Sequence, residues 1–273
     1  MYILGINAYH ADSSAAIFKD GKLIAATEEE RFRRVKHWAG FPSMAIEFCL
    51  REAGINLEQL DHIAIGRDPY AKLMKKILFL VKSPSGSWNV IADRFSNSKK
   101  VSSIQNEFAL IDNSVSASIL KKKIHQVEHH RSHLASAFFA SPFNEAALLS
   151  IDGSGDFTTT MTGVGNGNKI TVLNSIDFPH SVGLFYTAFT QWLGFPHYGD
   201  EYKLMGLAPY GNPQYIEKLG DVLLFKNDGS FSLNLKYFRS ATSGIISYGD
   251  DHVPQVASLF SDYLVEKFGL ARK

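Results

Sequence analysis

The 273-residue sequence contains a single cysteine, Cys49, which rules out an internal disulfide framework. It sits in the amphipathic run SMAIEFCLREAGI, where a small apolar residue facing a core is the natural reading. No apolar stretch approaches the ~20 residues that a membrane-spanning helix needs. Met1-Tyr2-Ile3 runs straight into an apolar strand with no basic leader before it, so no secretory signal is expected. Charge of one sign is also missing. The 28 basic and 27 acidic residues leave a net +1, with no field to attract nucleic acid or an anionic membrane. The expectation is a cytoplasmic globular protein with neither a nucleic-acid nor a membrane partner, and 45% hydrophobic residues suit that class.

The chain opens with three short strands. Tyr2 to Asn7, Ala15 to Phe18 and Leu23 to Thr27 are apolar runs, and the Lys19-Asp20-Gly21-Lys22 turn carries the Asp-Gly signature of a hairpin. Between the first two lies a polar turn, residues 8 to 14, holding His10 and Asp12. A histidine within two residues of an aspartate is a candidate general base with an orienting partner, and the same composition also suits a turn that satisfies its own backbone. A helix is predicted from about Ser43 to Ala53 with Met44, Phe48 and Leu50 at apolar positions and Gly54 just past its end. LDHIAIG reads as a buried strand. Residues 70 to 123 open with the Lys-rich run YAKLMKKILFLVK and continue into polar text, and they are expected to form a helical cap or insertion. IHQVEHH then leads as a strand into a helix. From Glu145 the pattern restarts as a three-strand meander, with Gly165-Asn166-Gly167 its clearest turn.

In the run VEHHRSHLASAFF, His129 and His133 are four residues apart. On a helix they share one face, where two imidazoles can converge on one metal ion or simply face water. The sequence IDGSGD follows, and Asp152 at its strand end is a candidate third ligand. Gly153 and Gly155 permit close backbone approach to a phosphate or another small substrate group. The charge run from Glu28 to Arg34 reads as a solvated helix with i,i+4 ion pairs. GDEYKLMGLAPYG places Lys203 ahead of a Gly/Pro-rich loop expected to border a site.

Five stretches occur in one order: GINAYHADSSAAI with TEEERFRRVKHWAGFPSMAIEFCLREAGI, VEHHRSHLASAFFASPF, LLSIDGSGD, SVGLFYTAFTQWLGF and GDEYKLMGLAPYG. Together they resemble the N-terminal portion of the NodU/CmcH-type carbamoyltransferases, across nearly the whole chain except about residues 70 to 123 and 212 to 260. The resemblance implies an α/β fold of two ribonuclease-H-like lobes from the actin/sugar-kinase/Hsp70 superfamily, Kae1-like, with residues 1–142 as the first lobe and 143–273 as an incomplete second. It implies transfer of a carbamoyl group from carbamoyl-adenylate to a hydroxyl of a small-molecule, sugar or antibiotic acceptor. By its motifs, His10 matches the proposed general base, His129, His133 and Asp152 match ligands for Fe(2+) or Zn(2+), and Lys36 and the Asp152-Gly153-Ser154 loop match positions near the adenylate.

A complete member of the resembled family is about twice as long. The sequence is therefore expected to be a truncated or split form, with ATP and carbamoyl phosphate handled by an absent YrdC-like domain and a separately encoded C-terminal half as a possible partner. Residues after about Asn212 are expected to be the most mobile, unless such a partner completes the fold. Competing readings are a Kae1-like tRNA threonylcarbamoyl-transfer subunit, which has the paired histidines, and a non-catalytic fragment that needs a partner. Sugar-kinase chemistry is disfavoured because it needs no paired-histidine metal site.

Overall fold

The computed structural model describes residues 1–82, 104–112, 115–242 and 245–272, which fold into two compact units. The polar text around residues 83–103 lies outside the described residues.

The described part of the first unit comprises residues 1–70, 104–112, 115–128 and 248–254. Strands β1 (Tyr2–Asn7), β2 (Ser14–Lys19) and β3 (Lys22–Glu28) form an antiparallel meander. The β2–β3 turn uses Asp20 and Gly21, both at positive φ, as a primed hairpin turn requires. β4 (His62–Ile65) and β5 (Ile124–Gln126) add in parallel on the other side of β1, which gives the order β3-β2-β1-β4-β5. This is the sheet of a ribonuclease-H-like lobe. Alternation along β1 and β2 turns Leu4, Ile6, Ala15 and Ile17 into the core.

After the four-residue helix α1 (Glu30–Arg33), helix α2 (Ser43–Ala53) lies against β2 and β3. It ends where predicted, with Gly54 in the left-handed conformation and its N–H bonded to Arg51 and Leu50 carbonyls. Of its expected apolar positions, Leu50 is buried and Phe48 packs against the same core, while Met44 is exposed; Ala45, Ile46 and Cys49 complete the buried face. Cys49 is fully buried, and burial raises its thiol to about 11, which removes it from thiolate chemistry.

The region expected as an insertion is divided. Helices α3 (Gln105–Ile111) and α4 (Ala117–Lys123) supply Ile104, Phe108, Val115 and Leu120 to the first unit's core, with Phe108 edge-on to Phe41 at 5.1 Å. Residues 71–82 belong instead to the second unit. There the helix Leu73–Lys82 is tied down by ion pairs from Lys72 and Lys75 to Asp177, and Phe79 packs on Phe157 and Phe178. Among the described residues no helix is long and apolar enough to cross a membrane.

Besides residues 71–82, the second unit takes in helix α5 (His129–Phe139), whose Leu134 and Phe138 share a core with Leu148 and Met161 of the following sheet. That sheet is the antiparallel meander β6 (Glu145–Gly155), β7 (Thr158–Asn166) and β8 (Lys169–Asp177). Its β7–β8 turn uses Gly167 in the left-handed region, whereas Gly165 lies within β7. Helix α6 (Val182–Trp192) is capped by the Ser181 hydroxyl, which accepts from the Leu184 N–H at 3.0 Å. Residues beyond Asn212 contribute to a core of their own unit. Val222, Leu233, Tyr237, Phe238, Leu259, Leu264 and Phe268 join Leu184 and Ala188 in the largest core of this unit.

Candidate metal centre and N-terminal turn

Helix α5 starts at His129, whose backbone N–H donates to the Asp156 carboxylate at 2.9 Å. That bond ties the helix start to the end of β6, and an acidic side chain is favourable at a helix N-terminus. The i,i+4 spacing then brings the two imidazoles edge to face, with ring centroids 4.5 Å apart. His129 Nε2 lies 3.0 Å from Asp152 Oδ2 and 3.0 Å from His133 Nε2, and His133 Nε2 is 3.5 Å from the same carboxylate oxygen. All three predicted ligands therefore converge.

A metal ion fits this donor set. Two imidazole nitrogens 3.0 Å apart repel each other unless a proton or a cation sits between their lone pairs. Ligands at ~2.0–2.1 Å from zinc in a tetrahedron are separated by about 3.3 Å, and octahedral edges at the same bond length are about 3.0 Å. The observed spacings match both. Burial pushes the Asp152 carboxyl up, but hydrogen bonds from His129, His133 and the Gly153 amide outweigh it and hold the group well below the usual carboxylate range. The ligand is thus present as the anion a metal needs.

Two glycines make the geometry possible. A Cβ at Gly155 would fall 2.0 Å from the His129 ring, and one at Gly183 would fall 2.6 Å from the Asp152 carbonyl oxygen. The close approach at Gly155 is that of the His129 ring, one of the candidate ligands. Gly153, in contrast, has only Leu184 near its missing Cβ, at 3.8 Å. The expected Asp152-Gly153-Ser154 loop is the bulged end of β6, with the register shift between Ile151 and Gly155. The Ser181 hydroxyl donates to the Asp152 carbonyl at 3.0 Å, so the cap of α6 also holds the ligand strand.

His130, between the two ligand histidines in sequence, is fully buried. Its Nδ1 pairs with the Ser150 hydroxyl at 2.8 Å and its Nε2 with the Thr158 carbonyl at 3.0 Å. A carbonyl can only accept, so Nε2 carries the proton. Burial, reinforced by the neighbouring His129, lowers this imidazole to about 4 and keeps it neutral. It is a structural histidine that fixes α5 to β6 and β7. Lys203, on helix α7 (Glu201–Leu207), is paired with the buried Asp200 at 2.6 Å.

In the first unit, the turn between β1 and β2 packs on residues 34–40. Tyr9 N–H donates to Gly40 O, Ser13 N–H to Trp38 O, and the Ser13 hydroxyl bridges the His10 and Gly40 carbonyls. Tyr9, Asp12, Arg34 and His37 all adopt left-handed φ of 56–60° without being glycine. Such residues persist where surrounding bonds over-determine them, and they gather at functional sites. His10 is half-buried, with Nδ1 3.3 Å from the Ala11 carbonyl. Lys36 is exposed.

The Asp12 carboxylate has a partner from a distant segment. It lies 2.8 Å from His37 Nδ1, and the His37 backbone N–H donates to Glu30 at 2.9 Å. Asp12 and His37 both adopt left-handed φ where the two segments meet. His37 was legible only as the end of RFRRVKH, inside a charged stretch. The reading of that stretch as a solvated helix holds for Glu28 and Arg31, an exposed pair at 3.2 Å, but fails at Glu29. Glu29 is fully buried and receives Arg33 Nε at 2.8 Å, Ala45 N–H at 2.8 Å and Met44 N–H at 3.3 Å, so it satisfies the start of α2.

Two imidazoles and one carboxylate thus converge, at spacings a metal ion would bridge, on an α/β framework. The sequence profile of the carbamoyltransferase N-terminus matches residues 2–260, and the chain belongs to that family. It is 43% identical over 257 residues to an uncharacterized protein of Synechocystis sp., covering 88% of this chain and 40% of the relative. Nodulation protein NolNO of Sinorhizobium fredii is 35% identical over 212 residues, which cover 76% of this chain and 29% of that protein. The chain thus spans well under half the length of these relatives. A solved structure of YeaZ from Pseudomonas aeruginosa overlaps 65% of this chain and 67% of its own, with a TM-score of 0.34 at 16% identity, too distant to carry an argument.

Proposed function

We propose that the protein is the metal-holding part of an O-carbamoyltransferase that moves a carbamoyl group from carbamoyl-adenylate to a hydroxyl of a small-molecule, sugar or antibiotic acceptor. The observation that carries this is the convergence of His129, His133 and Asp152 in a chain of the carbamoyltransferase family. His129, His133 and Asp152 would hold Fe(2+) or Zn(2+), and the ion would supply Lewis-acid polarisation of the carbamoyl oxygen. His10 takes the proton of the acceptor hydroxyl as its oxygen bonds to the carbamoyl carbon and the bond to the adenylate phosphate breaks. Removal of such a base costs ~10²–10⁴ in rate. Lys36 and Lys203 supply cations toward the anionic donor, with the Asp152-Gly153-Ser154 backbone beside it.

Carbamoyl-adenylate is made from carbamoyl phosphate and ATP by sequence outside this chain, in the same polypeptide or a separately encoded partner. The greater length of the relatives supports this division. The test is metal analysis combined with a transfer assay on the protein completed by that partner region. Bound Fe or Zn in the wild type, absent in His129→Ala together with transfer activity, is the expected result. Equal metal content in both proteins overturns the reading.

A further inference from the structure

The first unit carries a second pair of facing imidazoles, outside the cluster of His129, His133 and Asp152. His62 lies on β4 and His125 on β5, the edge strand of the five-stranded sheet. Parallel pairing sets Ile63 against Ile124 and Ala64 against His125. Side chains alternate along a strand, so Ile63 and Ile65 face the core while His62, Ala64 and His125 share the opposite face. Both histidines are exposed there. His62 Nδ1 lies 2.9 Å from His125 Nε2, with ring centroids 4.8 Å apart.

This pair differs from the structural His130, whose two nitrogens are both bonded to fixed partners. Among the described residues, neither His62 nor His125 makes a hydrogen bond other than the one between them. Lys123, two residues before His125, directs its ammonium to the Glu58 and Leu60 carbonyls at 2.7 and 2.6 Å. Nitrogens bound to one ion at ~2.0–2.1 Å are about 2.9 Å apart at a right angle and about 3.3 Å apart in a tetrahedron. The observed 2.9 Å is the right-angle spacing. Neighbouring ligands take that spacing in the tetragonal nitrogen and oxygen spheres of Cu(2+) and Ni(2+). We propose that His62 and His125 form a surface site for such an ion, with water completing its coordination, independent of the carbamoyltransferase reading and of the His129 cluster. The ion takes the place of the proton between the facing nitrogens. Each ring then carries its own proton on the outer nitrogen, Nε2 of His62 and Nδ1 of His125. Because β5 pairs only with β4 among the described strands, the ion also clamps the edge strand to the sheet.

Ni(2+) titration calorimetry tests the site on the full chain carrying His129→Ala/His133→Ala, which empties the other cluster. The expected result is one equivalent of Ni(2+), bound at least tenfold more weakly after His62→Asn and, separately, after His125→Asn. In the wild-type chain either substitution should likewise remove one equivalent, so the test does not depend on the double variant folding. Cu(2+) in the same protein should show two equatorial nitrogens by electron paramagnetic resonance. Ni(2+) should also slow amide exchange in Ile124–Gln126, and not in His62→Asn, because strand opening must first break the clamp. Absence of binding, binding that survives either substitution, or exchange of β5 unmoved by the ion each overturns the assignment and leaves the pair as an imidazole–imidazole hydrogen bond.

Discussion

Substituting Gly155 by alanine isolates the role of geometry at the metal centre. Gly155 is not among the glycines at positive φ, so alanine brings no backbone strain. It brings one methyl group, placed 2.0 Å from His129 Cδ2 and 2.2 Å from Cγ. Ordinary contact begins at 3.4 Å, so the ring must retreat by about 3.4 − 2.0 = 1.4 Å. Metal–ligand distances tolerate only ~0.2 Å. His129 therefore leaves the coordination sphere, and the cluster falls from three protein ligands to two. Displacing a ligand should cost more than the ~10–100-fold lost when an outer-shell partner is removed, so at least ~100-fold in affinity is expected, or about 2.7 kcal/mol. Competition for Zn(2+) against a chromophoric chelator measures this directly, with circular dichroism confirming that the variant folds. A folded Gly155→Ala protein that binds zinc as tightly as the wild type refutes the assignment of His129 as a ligand.

Glu29→Ala should destabilise the first unit by roughly 3 kcal/mol, because it leaves Arg33 without its partner and the start of α2 without its acceptor. Urea unfolding followed by Trp38 fluorescence measures it, and a cost under about 1 kcal/mol contradicts the capping role. His130 makes stability depend on pH. Its folded value, about 4, lies below the ordinary 6.5, so between these values the unfolded chain takes up a proton that the folded one refuses. Stability is therefore lost as pH falls from about 6.5 toward 4, by up to roughly 3 kcal/mol. Unfolding at pH 7 and 4.5, with and without His130→Asn, checks it, and an unchanged pH slope in the variant excludes the assignment. Asp12→Asn should alter the tautomer of His37, because the carboxylate that fixes a proton on Nδ1 is lost. Imidazole ¹⁵N shifts report this, and identical His37 spectra count against the pair.

Local chemistry was enough for the hairpin at Asp20-Gly21, the end of α2 at Gly54 and the facing of His129 and His133. Each depends on residues a few positions apart, where backbone preference and helical or strand period decide. The convergence of His129, His133 and Asp152 was legible in the same way, since i,i+4 spacing and a strand-end aspartate are visible in the sequence. Contacts between distant segments were decided only by tertiary structure. Glu29 looks like any other member of a charged run until Ala45 and Met44, 15 or 16 residues later, bring their amides to it. Asp12 meets an imidazole 25 positions away, with left-handed backbone at both 12 and 37. The close approach of the His129 ring to Gly155 is likewise a contact between distant segments. Sequence period specifies which residues share a face, whereas what that face meets depends on chain segments packed from far along the sequence, where no local preference acts.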